Sequence, residues 1–401
     1  MHTVAVLSRA GATVAGLLLA AACTAHHNPA PQQGQHAGPR ARSASSPPAK
    51  APTARVGFTI AATGDLLAHE PVVQAAQAAA GGHGYDFRPL LARVRPILSR
   101  ADLAICHLET PLSPDDRRIS YYPDFQAPRE IAPAIRWAGF DTCTTASNHT
   151  LDDGPAGVAH TLDLLDAAGV RHAGAARNAA EAARPVIYTV RGFRVAHLDY
   201  TYGLNGHSVP AGQPWLVPLI DPARILRDAH AARAAGAQFV IVSFHWGQEY
   251  SSGVTADQRD VARRLLASPD VDLVLGSHAH VLQAVERIAG KFVVYGMGNF
   301  LARHAPCCDS PPTFDGVIVN ITVQPRAGRL MVTALTYAPT HVNPDTLVVE
   351  PVAQTLRRLG AGAARSALVE SWRRTVARMD MLHAAAYGVR PDDPPAGLPT
   401  S

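Results

Sequence analysis

The chain alternates short runs of β-branched and aromatic residues with longer amphipathic stretches rich in Ala, Leu and Arg. The runs Phe239–Val242 and Leu273–Leu275 are apolar at every position, as strands buried on both faces are. Strands separated by helices are typical of an α/β protein with largely parallel central strands. We predict strands at Val56–Ala62, Leu103–His107, Thr142–Ala146, Phe239–Phe244, Leu273–Gly276 and Phe292–Gly296, helices at Pro89–Arg100, Glu130–Ala138, Pro222–Ala235 and Thr255–Ala267, and a closing hairpin of Gly316–Val323 with Leu330–Ala338.

The first 54 residues indicate export rather than a part of the folded domain. The apolar run Ala10–Ala22 fits a secretory signal peptide over residues 1–22 and is too short to span a bilayer comfortably. It ends in Leu19–Cys23, which resembles a bacterial lipobox with Cys23 as the lipidated residue; a plain signal peptide is the alternative. Residues 23–54 are rich in Pro, Ala, Gln and Ser, which predicts a flexible tether. We therefore expect a secreted protein, lipid-anchored at the outer face of the bacterial cytoplasmic membrane.

The charge balance argues against a nucleic-acid partner. The formal net charge is only +4, and the basic residues are scattered along the chain. Binding to nucleic acid needs positive charge clustered on one face. The apolar fraction of 47% and the charged fraction of 17% are those of an ordinary folded protein.

Four cysteines remain after Cys23. Cys106 and Cys143 lie at the ends of two predicted strands, whereas Cys307 and Cys308 are adjacent in a loop. Disulfides form outside the cell, so a bond is allowed. For Cys106 and Cys143, two buried thiols remain an equally good interpretation.

Side chains of the types that bind divalent metal ions follow the carboxyl ends of the predicted strands. They are Asp65, Glu109, Asn148, His149, Asp152, His245, His278, His280 and Asn299. Ligands of open α/β sheets gather at that edge. Taken singly, Asp65 can cap a helix and Asn148 can turn the chain. His278 and His280 carry more weight, because two histidines two residues apart in extended chain face the same side. Imidazole, carboxylate and amide oxygens together favour a divalent metal site.

A family resemblance rests on the order of these motifs. Gly-Asp, Leu-Glu, Ser-Asn-His-x-x-Asp, His-Trp-Gly-x-Glu-Tyr, Gly-x-His-x-His and Gly-Asn-Phe resemble the motifs of the CapA family of capsule and poly-γ-glutamate synthesis proteins. That family is similar to the calcineurin-like metallophosphoesterases. The resemblance covers about Gly57 to Ala338. It implies an α/β protein, a four-layer α/β/β/α sandwich of the metallophosphoesterase type, which we place at residues 55–345.

Two further segments follow this domain. Apolar residues at three- and four-residue spacing predict C-terminal helices within residues 346–388. The Pro-rich tail, residues 389–401, is predicted to be disordered.

The resemblance implies a role for each motif residue. Asp65 and His280 are expected to bind a first metal, with Glu109 at the bridging position, and Asn148, His245 and His278 to hold a second. His149, backed by Asp152, matches the histidine that protonates a leaving oxygen. Substrate contacts are expected from Glu249 and Asn299, and, from their loop positions, from Asn205 and Arg303. One or two divalent ions are implied, with Mn, Fe and Zn not distinguished.

The sequence also departs from the phosphoesterase pattern. Leu67 stands where these enzymes usually have a metal-binding His, and His69 is further along the chain. Glu109 replaces the usual bridging Asp, and His107 stands where capsule-family members more often have Asn. Two functions therefore stay open. One is a metal-dependent hydrolase acting on a phosphoester or on a bond of an anionic cell-surface polymer. The other is a non-catalytic polymer-binding or export accessory protein with a degenerate metal site, working with membrane proteins of polymer synthesis and export.

Overall fold

The strands of this protein form two sheets in the computed structural model, which describes residues 56–304 and 308–401. The strands are β1 Phe58–Leu66, β2 Leu103–Leu108, β3 Thr142–Thr144, β4 Arg171–Ala173, β5 Ile187–Val190, β6 Phe193–Thr201, β7 Phe239–His245, β8 Leu273–Ser277, β9 Val285–Ile288, β10 Lys291–Val294, β11 Asn299–Leu301, β12 Asp315–Arg326, β13 Arg329–Val342, β14 Val349–Pro351 and β15 Arg390–Pro391. The helices are α1 Glu70–Ala79, α2 Arg88–Leu91, α3 Arg95–Leu98, α4 Ile131–Ala138, α5 Gly154–Ala167, α6 Ala179–Ala182, α7 Pro222–Ala234, α8 Ala256–Ala267, α9 Val352–Leu356 and α10 Ala363–Met379, with 3-10 turns at Pro311–Phe314 and Ala384–Tyr387.

The first sheet has the strand order β14-β13-β12-β1-β2-β3-β4, with β11 beside β1 and β15 beside β13. The second has the order β5-β6-β7-β8-β10-β9. Strands β1 to β4 are mutually parallel, and so are β6, β7, β8 and β10. In the first sheet the antiparallel strands β12, β13 and β14 lie on one side of β1, and in the second the antiparallel strands β5 and β9 are at the edges. The prediction of largely parallel central strands is confirmed.

The two sheets pack face to face. Ile60 of β1 and Val319 of β12 share one buried apolar cluster with Ile241 of β7 and Leu275 of β8. Helices α1 to α5 cover the other face of the first sheet, and α7 and α8 cover that of the second. The architecture is therefore the four-layer α/β/β/α sandwich that the resemblance implies.

The helices differ from the sequence prediction in several places. The single helix predicted at Pro89–Arg100 is wrong, because the chain forms two short helices, α2 and α3. Each begins next to a proline, and Pro96 has no backbone N–H with which to continue a helix from the preceding turn. Helices α1, α5 and the short α6 occur where no helix was predicted.

The C-terminal tail also differs from its prediction. Residues 389–401 are ordered against the domain rather than disordered. Strand β15 pairs with β13, Val389 is buried, and the Trp372 indole N–H donates to the carbonyl of Pro399 over 2.8 Å. The Pro-rich composition of the tail did not predict these few contacts with the domain.

Cys106 and Cys143 are joined by a disulfide. They are register partners on the neighbouring strands β2 and β3, with their Cα atoms 4.4 Å apart, and both are fully buried. The sequence left open whether Cys106 and Cys143 form a disulfide or remain two buried thiols, and in the structure they form the disulfide.

Some predictions concern residues outside the described part of the chain. The predicted signal peptide, the predicted lipidation site Cys23, the predicted tether and Cys307 all lie there. Among the described residues, no helix has the length and apolar character needed to cross a membrane.

Helix α10 is attached to β12 through a buried carboxylate. Asp315 accepts hydrogen bonds from Nε of Arg374 over 2.7 Å and from Oγ of Ser371 over 2.6 Å. The residue before Arg374 in the helix, Arg373, instead pairs with Glu370 at the surface, where both side chains are more than half exposed. Two adjacent arginines thus make one buried and one exposed ion pair.

We expect Arg374→Ala to lower the free energy of unfolding by about 2–3 kcal/mol, because it leaves the buried Asp315 without its cation. Arg373→Ala is the matched control and should cost less than about 1 kcal/mol, as exposed pairs do. Urea denaturation followed by circular dichroism measures both. Equal losses for the two variants would contradict this account of how α10 is held.

Candidate metal centre

Parallel pairing brings the first two carboxylates together. Asp65 lies near the end of β1, and its register partner on β2 is His107. Glu109 comes two residues after His107, and its backbone N–H donates to the carbonyl of Leu66 over 3.1 Å. Since alternate residues of a strand face the same side, His107 and Glu109 both face Asp65. Asp65 and Glu109 are fully buried.

A missing side chain at Gly64 allows β1 to approach the chain at Gly298. A Cβ at Gly64 would lie 1.8 Å from the carbonyl oxygen of Gly298, which is impossible without rearrangement. The same carbonyl accepts the backbone N–H of Asp65 over 3.0 Å. Asp65 is therefore held beside Asn299, its register partner on β11.

The second sheet supplies the imidazoles. His245 ends β7, and His278 and His280 follow β8. The prediction that His278 and His280 lie in extended chain is wrong. Both have left-handed backbone angles, with φ +98° at His278 and φ +55° at His280. Non-glycine residues adopt such angles at an energetic cost, which is often found at functional sites. The turn still directs both rings into one cluster, with ring centroids 6.0 Å apart.

Three of the predicted ligands lie together at the centre of this cluster. Ligand atoms of Asp65, Glu109 and His280 are all within 4.8 Å of one another. Nδ1 of His280 lies 3.3 Å from a carboxylate oxygen of Asp65, and its Nε2 lies 3.8 Å from one of Glu109. The groups predicted for the first metal are thus in place.

The groups predicted for the second metal also converge. Nε2 of His245 lies 2.8 Å from Oδ1 of Asn148 and 3.0 Å from Nδ1 of His278. The same Nε2 is 3.7 Å from a carboxylate oxygen of Glu109. Glu109 therefore lies between the two sets, as a bridging carboxylate would.

The Glu109 carboxylate shows that the donor set fits a cation. It is almost fully buried, and neither oxygen accepts a hydrogen bond. Burial raises its pKa well above the usual value, although the charge of His280 opposes this. A buried carboxylate without partners is costly, and a bound ion would remove that cost. Buried imidazole and carboxylate groups together form a typical site for a divalent transition metal.

The histidines differ in protonation. Burial lowers the pKa of His245 well below its usual value and that of His278 to about 3, so both rings are neutral and able to bind metal. For His280, burial acts in the same direction, but the carboxylates of Glu109 and Asp65 outweigh it and raise the pKa to about 9. Burial also acts to raise the pKa of Asp65, yet the hydrogen bond and charge of His280 hold it below its usual value.

The predicted proton donor lies beside the cluster. Nδ1 of His149 is 2.7 Å from Oδ2 of Asp152, and that oxygen also accepts the backbone N–H of Phe125. Nε2 of His149 is 3.4 Å from the side-chain nitrogen of Asn205. Asn205 also accepts a hydrogen bond from Asn148 over 3.1 Å, so it links the two motif residues.

The predicted substrate contacts divide into two groups. Oδ1 of Asn299 lies 3.0 Å from Nδ1 of His280 and can accept a hydrogen bond from it. Glu249 is an exposed carboxylate, and one of its oxygens lies near the ring nitrogens of His278 and His280. Arg303 is engaged elsewhere. Its guanidinium pairs with Asp309 at 2.5 Å and stacks over Phe314, so the substrate contact predicted for it has no support in these contacts.

Several residues at the centre were missed by the sequence analysis. Ligand atoms of His107 lie within 4.8 Å of those of Asp65 and His245. Tyr202 packs on His278 with centroids 4.4 Å apart, and Tyr250 lies 5.9 Å from His280. Of these, only His107 could have been predicted from the sequence, because it lies two residues before Glu109 and therefore on the same face of the strand.

The family model described as "Bacterial capsule synthesis protein PGA_cap" matches residues 59–304. "Capsule biosynthesis protein CapA" of Bacillus anthracis is 28% identical over 228 residues, which are 55% of this chain and 54% of that protein. "PGA biosynthesis protein CapA" of Bacillus subtilis is 27% identical over 212 residues, which are 52% of this chain and 55% of that protein. This chain thus spans about half the length of the curated relatives it matches.

Solved structures show a distant likeness. The NAD nucleotidase of Haemophilus influenzae has a TM-score of 0.44 at 12% identity, covering 85% of this chain and 65% of that one. A calcineurin-like phosphoesterase from Bacillus subtilis has a TM-score of 0.41 at 15% identity, covering 80% of this chain and 96% of that one.

The family match extends over more than half of the chain and includes every motif residue from Asp65 to Asn299. The chain therefore belongs to the PGA_cap family of bacterial capsule synthesis proteins.

Proposed function

We propose that this chain is a cell-surface lipoprotein, anchored through Cys23, that acts in the synthesis, attachment or processing of a capsule or poly-γ-glutamate-like polymer through a metal-dependent, hydrolase-like site. The observation that carries the hydrolase-like part is the buried Glu109 carboxylate, unpartnered between His245 and His280. The names of the curated relatives support the polymer, and the N-terminal motif supports the anchor. The partners proposed are the anionic polymer or a phosphoester, together with membrane proteins of polymer synthesis and export.

One or two divalent ions would be held by two sets of side chains. Asp65, Glu109 and His280 form one set, and Asn148, His245 and His278 form the other, with Glu109 between them. An ion held there would supply Lewis acidity, which stabilises negative charge developing on a substrate oxygen.

The protein's own proton donor is His149. Asp152 lies at Nδ1 and stabilises the charged imidazolium, so Nε2 is the atom that gives a proton to a leaving oxygen. Asn205 lies next to Nε2 and also accepts a hydrogen bond from Asn148. Half-exposed Tyr202 and Tyr250 flank the histidines and would contact an incoming polymer chain.

A non-catalytic accessory role is the second candidate, and one observation favours it. Leu67 stands where phosphoesterases usually have a metal-binding His, and its side chain is buried in a small apolar cluster with Phe125 and Ala302. In this role the cluster binds polymer or stabilises the domain without turnover.

Metal binding should release a proton. The pKa of about 9 means that His280 is protonated at neutral pH in the metal-free protein, and an ion must displace that proton to bind. Affinity should therefore rise as pH rises from 7 towards 9, by up to about tenfold per pH unit for each proton displaced. Calorimetric titration with Zn²⁺ or Mn²⁺ in two buffers of different ionisation enthalpy measures this. The His280→Gln variant, which has no such proton, is the control; identical heats in both buffers for the natural protein would contradict the assignment.

The proton-donor role of His149 is tested by turnover. His149→Ala should lower kcat for a chromogenic phosphodiester by about 10²–10⁴-fold, the usual contribution of a general acid, with metal content unchanged. Asp152→Asn, which keeps the shape but removes the charge at Nδ1, should cause a smaller loss. Unchanged kcat in His149→Ala would rule out this role.

The accessory candidate predicts a different pattern in cells. If the protein acts without turnover, a strain lacking the gene loses surface polymer and regains it with the His149→Ala variant. If it acts as a hydrolase, only the natural protein restores the polymer. Staining of surface polymer separates the two.

A further inference from the structure

We propose that His107 is a metal ligand, and that it completes the Asp65 side of the centre where Leu67 provides no donor. This inference rests on the metal-binding site proposed above. It adds a fourth imidazole donor to those of His245, His278 and His280, and it is the only one of the four that the first sheet supplies.

The register of the strands places His107 at the centre. It is the direct partner of Asp65 on β1 and of Thr144 on β3. Its Nε2 lies 3.9 Å from a carboxylate oxygen of Asp65, and its ring stacks on His245 with centroids 4.8 Å apart. Ligand atoms of these three residues lie within 4.8 Å of one another. Two sheets thus contribute to one group of three donors.

Hydrogen bonding at Thr144 defines which nitrogen of His107 is available. The Thr144 hydroxyl donates to the carbonyl of Cys106 over 3.2 Å, so its oxygen is left to accept from Nδ1–H of His107, 2.8 Å away. The proton is then on Nδ1, and Nε2 has a lone pair. The side chain is only 3% exposed, and Nε2 has no hydrogen-bond partner. Metal-binding histidines are oriented in this way, with the second nitrogen donating to a fixed oxygen.

The other candidates for the missing donor make different contacts. Leu67 is apolar and packs on Phe125 and Ala302. The ring of His69 contacts Phe125 and His304, with centroids 5.5 Å and 4.6 Å away. Within the described ranges 56–304 and 308–401, His69 joins no group of three ligand side chains, whereas His107 does.

The added imidazole has a consequence for the choice of ion. Imidazole suits Zn²⁺, Fe²⁺ and Co²⁺, whereas Mg²⁺ and Ca²⁺ prefer oxygen ligands. With His107 as a ligand, the Asp65 side should select ions of the first kind.

The test is Co²⁺ and Mg²⁺ titration of the purified protein, followed by calorimetry and by the visible absorption of bound Co²⁺. We expect His107→Gln to lose one Co²⁺ or to bind it at least about 100-fold more weakly, with a changed absorption spectrum. Thr144→Val keeps the ligand but removes its orienting oxygen, and should weaken binding by about 10–100-fold. His197→Gln is the matched control, since His197 is equally buried, is bonded to Ser243 and lies on β6 away from the ligands. It should bind Co²⁺ as the natural protein does.

The outcomes separate this inference from the proposed function. Co²⁺ binding by the natural protein with unchanged affinity and spectrum in His107→Gln would overturn the role of His107 and leave the metal centre intact. Absence of binding by the natural protein would overturn both. Far-ultraviolet circular dichroism shows whether His107→Gln folds. If it does not, Thr144→Val decides: weakened binding supports the ligand role, and unchanged binding overturns it.

Discussion

Two carboxylates, Asp65 and Glu109, are buried side by side at the ends of neighbouring parallel strands, and the rest of the site depends on how their charge is balanced. Their mutual repulsion and burial would be unfavourable without a positive charge close by. His280 supplies part of it, and its raised pKa is the result. Both oxygens of Glu109 still lack a partner. A bound cation would provide one and would remove the cost of burying that carboxylate.

The packing of the two sheets brings these groups together at one site. The first sheet provides the carboxylates, and the second provides His245, His278 and His280. Bringing them together requires two unusual backbone features. The chain approaches Gly64 too closely for any residue with a Cβ, and His278 and His280 adopt positive φ angles. The packed core between the sheets holds this strain, which accords with the tendency of strained residues to cluster where function is.

Much of this was predictable from the sequence, for physical reasons. Runs that are apolar at every position indicate strands buried on both faces. Metal-binding residue types that follow such strands lie at the same edge of the sheet, so the convergence of Asp65, Glu109 and His245 was predicted. Tertiary contacts decided the rest. The backbone turn at His278 depends on its neighbours, and the ordering of the tail depends on the pairing of β15 with β13 and on contacts such as that of Trp372 with Pro399. No periodicity in the sequence reports such contacts.

The central claim is that a divalent ion lies between the carboxylates and the histidines. Anomalous X-ray scattering from crystals of metal-loaded protein tests it most directly. The account predicts one or two anomalous peaks within bonding distance of the predicted ligands, with Glu109 next to each of them. Peaks that appear only elsewhere on the surface, or no peak in crystals grown with saturating Zn²⁺ or Mn²⁺, would contradict it.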